Sequence, residues 1–306
     1  MADFWQQVVV GLATGSLYGL MALALVLIYR STHVLNFAQG EMAMFSTFLA
    51  WSILIRVDNH YWVMFPLAVL VAAALGGLTE RVVVRPVEGA PILNIVIVTL
   101  GLYAIFSNVA SWRWIGRPKP FPTPPEIHVA GLKFFGGDAL HVGPTVINYH
   151  DLTIMVFAAL IMVALYLFFQ YTSLGLAMRA TAHNPVASRL MGIRVGRMLT
   201  IGWALSAAVG AVAGLLIAPI VLLTSAMMVG ALLYAFAAAV LGGLDSPVGA
   251  IVGGLIIGVS ENLVGAYTPQ EWLGPEMKLT VTLCIILVVL LVRPTGIFGR
   301  RALRRV

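Results

Sequence analysis

Residues 36–41 read Asn-Phe-Ala-Gln-Gly-Glu and open a long apolar segment. Asn36, Gln39 and Glu41 are costly at depth in a membrane, and an ionisable group there usually turns toward a cavity or a partner. Gly40 allows the backbone to bend. Two readings stand. Either this run is a substrate-path or gating element, or it is an ordinary helix start. In the second, Asn36 is the N-cap and Glu41 is favoured by the positive helix end. Capping accounts for Asn36 and Glu41 but leaves Gln39 unexplained.

Other polar groups are scattered through apolar sequence. Glu261 and Asn262 fall late in one segment, where the membrane boundary would lower the cost of a carboxylate. Asn94, Thr99 and Asn108 lie along another. Asn94 and Thr99 are five residues apart, about 140° around a helix. Hydrogen bonds between helices are the expected role for these amides and hydroxyls, with Asn94, Thr99 and Glu261 kept as candidates for a substrate pathway.

Several chemistries are missing. A phosphate-binding P-loop needs GxxxxGK[ST], and none of Lys119, Lys133 or Lys278 is followed by Ser or Thr. There is no HExxH, and the six histidines lack metal-ligand spacing. No histidine lies well inside an apolar segment to activate a buried serine. No cofactor is expected. The single cysteine, Cys284, excludes an intrachain disulfide.

The elements that must position these residues are membrane spans. The chain has 306 residues, 60% of them hydrophobic and 10% charged, against roughly 25% charged in a soluble domain. A water-facing surface cannot be covered with so few charges. Segments near the 20 apolar residues that cross a bilayer fall at 6–29, 36–55, 62–80, 92–112, 151–171, 198–222, 229–243, 247–267 and 277–292. The first follows Asp3 and no basic residue, so it is expected to be a retained span rather than a signal peptide. The seventh is short and is split from the eighth by Gly242-Gly243-Leu244-Asp245-Ser246-Pro247. The expected architecture is an all-α, polytopic helix bundle of eight or nine hydrophobic segments in a single domain over 1–306, one of them re-entrant or broken. A break also follows the first and the sixth segments, and broken helices at matching places in two halves often mark a transport path.

With nine crossings, Arg30, Arg81, Arg85, the 173–197 insert and the basic tail from Arg293 share one side, twelve basic residues against six. The positive-inside bias makes that side cytoplasmic, with the N-terminus outside and the C-terminus inside. The 113–150 loop is then external. Pro118, Pro120, Pro122, Pro124 and Pro125 favour extended backbone there, suited to a lid or docking surface. Glycines four apart (Gly11, Gly15, Gly19; Gly210, Gly214; Gly254, Gly258) allow close helix packing, within one bundle or at a dimer face.

The insert at 173–197 carries Arg179, Arg189, Arg194 and Arg197. Asn184 before Pro185 fits an N-cap with proline at the first helical position. A short helix is expected over 185–191, stopped by Gly192. Val186, Ala187, Leu190 and Met191 form its apolar arc, with Ser188 and Arg189 facing the other way. Such a helix either docks in a groove of a soluble partner or lies on lipid headgroups.

These segments resemble the permease subunits of branched-chain amino-acid ABC importers, of the LivH type. The resemblance is carried in order by Gly11-Leu12-Ala13-Thr14-Gly15-Ser16-Leu17-Tyr18-Gly19-Leu20, by 36–41, by Glu80-Arg81 with Arg85-Pro86, and by Arg179-Ala180-Thr181-Ala182-His183-Asn184-Pro185 with Leu190-Met191-Gly192-Ile193. It continues through Ala238-Ala239-Val240-Leu241-Gly242-Gly243-Leu244 and Arg293-Pro294-Thr295-Gly296-Ile297-Phe298-Gly299. His33 departs from the small or polar residue expected there, and the proline-rich loop is long. The resemblance implies an inner-membrane translocation subunit that is not itself an enzyme. Its partners would be a LivM-type second permease, two ATP-binding cassette subunits that bind the ATP, and a periplasmic amino-acid-binding protein. Membrane lipid is expected around it, and no nucleic acid. Arg179, Ala182, Asn184, Pro185, Arg189, Leu190, Met191 and Gly192 would then form the segment that couples to the ATPase. A substrate delivered by a carrier needs only a weak site, and helix N-termini at the breaks could receive its carboxylate. The rivals are a urea or short-amide importer, and a self-contained channel or ion-coupled carrier.

Overall fold

The structure, a computed structural model, describes residues 2–32, 34–56, 60–114, 118–125, 127–129, 132–134, 139–142 and 145–267, with 280, 283–284, 287–289, 291, 293 and 295–299. His33, Lys278, Arg300 and most of the expected 277–292 span lie outside the described residues.

The chain is an all-α polytopic membrane protein. Its helices are α1 (Ala2–Thr32), α2 (Gln39–Arg56), α3 (Tyr61–Thr79), α4 (Ile92–Arg113), α5 (Tyr149–Tyr171), α6 (Ser173–His183), α7 (Pro185–Leu190), α8 (Val195–Val221), α9 (Val229–Gly242) and α10 (Pro247–Tyr267). Among the described residues six are long and apolar enough to cross a membrane: α1, α3 with its continuation to Val87, α4, α5, α8 and α10. The apolar α9 is shorter, and α2 falls outside this set. Large apolar side chains on α3, α4 and α5 are exposed, among them Leu70, Ile97, Ile105 and Leu160, as lipid-facing positions should be.

The 113–150 loop differs from its expected form. Residues 118–125 form no helix and carry only an isolated bridge at Lys119, and two antiparallel strand pairs follow, β1 (Ile127–Val129) with β2 (Leu132–Phe134), and β3 (Ala139–Val142) with β4 (Thr145–Asn148). Proline was a local signal that hid the short alternating runs after it.

Two compact units divide the chain. The first comprises residues 1–26, 123–158 and 230–306. Its packing rests on missing side chains. A Cβ on Gly11 would sit 2.7 Å from the Cα of Val259, and one on Gly15 would sit 2.7 Å from the carbonyl oxygen of Gly254. The glycine ladder of α1 therefore lies backbone to backbone on α10, within one unit. Tyr18 of α1 donates to Glu261 Oε2 of α10 at 2.8 Å and stacks on Tyr234 of α9 with centroids 4.8 Å apart. Beyond α9, Gly243 takes φ +103° and Gly296 φ +78°. Their left-handed backbone folds the 295–299 segment onto the end of α9, where Ile297 N donates to Leu241 O at 2.8 Å and Phe298 N to Gly242 O at 3.0 Å.

The second unit comprises residues 27–122 and 159–229, and here α8 packs on α2 and α3. A Cβ on Gly76 of α3 would meet Trp203 O at 2.6 Å. Met42, Leu102, Phe106, Trp203 and Ala207 share a buried apolar cluster with Ile28. Opposite, Trp114 Nε1 donates to Ser52 Oγ at 2.8 Å. Lys119 exchanges two backbone hydrogen bonds with Leu223 and holds its ammonium 4.7 Å above the Trp51 ring. Leu223 follows Leu222, whose φ of +63° marks the break between α8 and α9.

Candidate functional site

Three arrangements in the second unit carry the polar chemistry. The first lies where the chain enters α2. Asn36 Oδ1 accepts from Ala38 N at 3.1 Å, so it caps the turn before the helix, which begins at Gln39 rather than at the expected residue 36. Its Nδ2 donates to Gln39 Oε1 at 3.3 Å. Gln39 Nε2 donates to the carbonyl of Ser206 at 3.2 Å, and Ser206 Oγ donates back to Gln39 Oε1 at 3.1 Å. All three residues are fully buried. Gly210 makes room, because a Cβ there would lie 2.5 Å from Gln39 Nε2. One turn on, Ala43 and Thr47 face Gly214 of α8. Asn36 and Gln39 therefore belong to a closed knot that fixes α2 on α8.

Glu41 is different. It is 2% exposed, and its Oε2 is buried without a hydrogen-bond partner among the described residues. A buried carboxylate oxygen without a donor is expensive, so this position is not explained by capping.

The remaining pathway candidates separate. Asn94 is exposed. Thr99 is buried, yet its hydroxyl donates within its own helix to Val96 O at 2.9 Å. Asn108 likewise donates to Ala104 O at 2.7 Å. These bonds are intrahelical, not the interhelical ones expected, because the carbonyl one turn back is the nearest acceptor. Glu261 is the acceptor for Tyr18 in the first unit.

The second arrangement is a lock between α3 and α8. After α3 the backbone widens into a π turn, Glu80–Val84, and then tightens to a 3₁₀ turn, Arg85–Val87. Arg85 forks onto Glu80, Nε to Oε1 at 3.0 Å and Nη2 to Oε2 at 2.9 Å. The same guanidinium donates to Gly196 O at 2.7 Å and to Thr200 Oγ1 at 2.6 Å, and Thr200 donates to Glu80 Oε2 at 2.8 Å. Sequence reading gave no role to this cluster. In a regular α-helix residues five apart point about 140° from each other, and only the π turn brings Glu80 and Arg85 together.

The third is the 173–197 insert, which joins the lock through Gly196. Thr172 caps α6, its Oγ1 accepting from Gly175 N at 3.0 Å. Asn184 caps α7, its Oδ1 accepting from Ala187 N at 3.0 Å, with Pro185 at the first position. The stop is a full Schellman motif: Gly192 at φ +81°, Gly192 N to Arg189 O at 3.0 Å, and Ile193 N to Ser188 O at 3.0 Å. The helix ends at Leu190, with Met191 as its cap, one residue earlier than expected. Ser188 is buried. Val186, Leu190 and Met191 are 66%, 85% and 83% exposed. The apolar side of α7 thus faces outward and its serine faces inward. Arg189 is exposed beside it, whereas Ala182 and Arg179 are only half-exposed, and Arg179 turns back along α6 to Gln170 at 3.2 Å.

Relatives match this chain over nearly its whole length. A family profile described as "Branched-chain amino acid transport system / permease component" matches residues 7–290. The high-affinity branched-chain amino acid transport system permease protein LivH of Salmonella typhimurium is 31% identical over 99% of this chain and 98% of its own. The corresponding BraD of Pseudomonas aeruginosa is 32% identical with the same coverage. A probable LivH of Methanocaldococcus jannaschii is 29% identical over 92% of this chain and 88% of its own. A chain of PsaBC from Streptococcus pneumoniae, solved with a Fab, overlays at TM-score 0.44 with 13% identity over 93% of this chain and 89% of that one, too slight a likeness to argue from. The chain belongs to the permease-component family of branched-chain amino acid transport systems.

Proposed function

We propose that this chain is the translocation subunit of an ATP-binding-cassette importer, and that it moves branched-chain or other hydrophobic amino acids across the inner membrane. It works beside a LivM-type second permease, and two ATP-binding cassette subunits on the cytoplasmic face bind and hydrolyse the ATP. A periplasmic amino-acid-binding protein delivers the substrate to the outer face. The N-terminus lies outside and the C-terminus inside.

The observation that carries this reading is α7, a short helix capped at both ends whose Val186, Leu190 and Met191 face outward. An isolated six-residue helix is unstable in water. The two caps hold it as a rigid knob, and a knob with an apolar tip suits a groove on another subunit. Closure of the ATPase pair would displace α7. The displacement enters α8 directly and reaches α3 through Gly196 and Thr200, which Arg85 and Glu80 grip. The unpaired carboxylate of Glu41 supports a substrate bearing an ammonium group, and urea has none.

The test is Leu190→Glu with Met191→Glu in the assembled transporter. Uptake of labelled leucine and stimulation of ATP hydrolysis should both fall while membrane insertion stays normal. Unchanged uptake, or uptake by the purified chain alone in liposomes, refutes the coupling role. Transport of labelled urea in place of leucine refutes the substrate assignment.

A further inference from the structure

A cleft in the second unit lies where the ends of α1 and α5 meet α6. Its enclosed part is small, about 20 Å³, and it is open at the mouth. Leu27, Phe169 and Met178 form apolar walls, and Arg30, Ser31 and Arg179 supply the polar groups. Arg30 stands in the last turn of α1, and Arg179 projects from the helix that follows α5. Both therefore sit at the level where membrane-crossing helices end. Met178 and Ser31 meet over Gly202 of α8, each about 3.6 Å from where a Cβ would be.

Arg179 is the informative residue. One Nη donates to Gln170 Oε1 at 3.2 Å, but its buried Nε has no hydrogen-bond partner among the described residues. Among the described residues no carboxylate pairs with Arg179. A sequestered guanidinium N–H without an acceptor is unfavourable. Guanidinium groups are matched in geometry and charge to phosphate oxygens. Basic pockets between spanning helices take anionic lipid headgroups.

We propose that this cleft binds the headgroup phosphate of an anionic phospholipid. Arg179 and Arg30 hold the phosphate at the mouth of the cleft, and the Leu27, Phe169 and Met178 walls pack against the start of an acyl chain. The apolar walls select a lipid over a free anion. Bound lipid would brace α6 against α1 and α5, and so set the base from which α7 projects. This assignment does not depend on which amino acid is carried.

The full chain, purified in an uncharged detergent, is melted with phosphatidylglycerol, with a diacyl glucolipid of the same chains that lacks phosphate, and with inorganic phosphate. Phosphatidylglycerol should raise the midpoint by about 2–4 °C, and the other two should not. The rise should be lost in Arg179→Gln and in Ala182→Trp, which fills the mouth and keeps both arginines. It should be reduced in Arg179→Lys and retained in Arg81→Gln, an exposed arginine outside the cleft. An equal rise with the glucolipid or with inorganic phosphate overturns the lipid assignment. So does a rise that survives both Arg179→Gln and Ala182→Trp.

Discussion

Gln39 and Ser206 exchange two hydrogen bonds across the α2–α8 contact, amide to carbonyl at 3.2 Å and hydroxyl to amide oxygen at 3.1 Å. With Asn36 they satisfy one another in a fully buried place. Gln39→Ala would remove the bonds that Gln39 makes with the Ser206 carbonyl, the Ser206 hydroxyl and the Asn36 amide. Each such bond contributes roughly 0.5–1.5 kcal/mol, so the variant should melt below the parent chain. Gln39→Ala with Ser206→Ala should cost less than the two single changes summed, because both remove the same hydroxyl–amide bond. Thermal melting of the detergent-solubilised chains checks both. Additive losses in the double variant would mean that the two side chains act independently.

Close to this knot, the proposed pathway role of Glu41 can be separated from a packing role. Its buried carboxylate has an oxygen without a donor, and Glu41→Gln keeps the shape while removing negative charge. The melting midpoint should hold or rise, since an unpaired charge in the interior is destabilising. Leucine uptake should fall about 10- to 100-fold, the equivalent of one lost charge-assisted hydrogen bond of roughly 1.5–3 kcal/mol. A drop in both stability and uptake would make Glu41 a packing residue.

What could be read from the amino-acid order was local. Asn184, Pro185 and Gly192 announce α7, because a cap, a fixed φ and a left-handed stop each act over three or four residues. The glycines at 11, 15 and 19 announce close packing, though not that the partner is α10. Contacts between distant residues stayed hidden. Nothing marks Ser206 as the partner of Gln39, 167 residues away. Glu80 and Arg85 meet only because a π turn changes the helical phase. The strand pairs of 127–148 were masked by the prolines before them. Asn94 and Thr99 drew attention by polarity, yet one is exposed and the other bonds its own helix.

The glycine ladder of α1 yields a sharp steric prediction. Gly15→Val would drive a branched side chain into the backbone at Gly254 and Leu255, where even a Cβ comes within 2.8 Å. Backbone cannot move aside as a side-chain tip can. The variant should fail to accumulate in the membrane fraction, whereas Gly101→Val, where nothing lies within 4 Å of the Cβ, should accumulate normally. Equal yields would show that α1 and α10 are not in this contact.

Arg85 tests whether α3 and α8 move as one body. Arg85→Lys keeps a positive charge but cannot fork onto Glu80 while also holding Gly196 O and Thr200 Oγ1. Arg85 is about one-third exposed and Glu80 is buried, so the stability loss should be modest, about 1–2 kcal/mol after allowance for solvent screening. The functional loss should be larger. With the lock loosened, α7 and α8 would follow the proposed ATPase partner without carrying α3, so ATP hydrolysis should persist while leucine uptake falls. Thr200→Val, which removes one strut of the same lock, should give a weaker form of the same uncoupling. Proteoliposomes carrying the assembled transporter, assayed for both rates, separate this outcome from simple misfolding, in which the two rates would decline together.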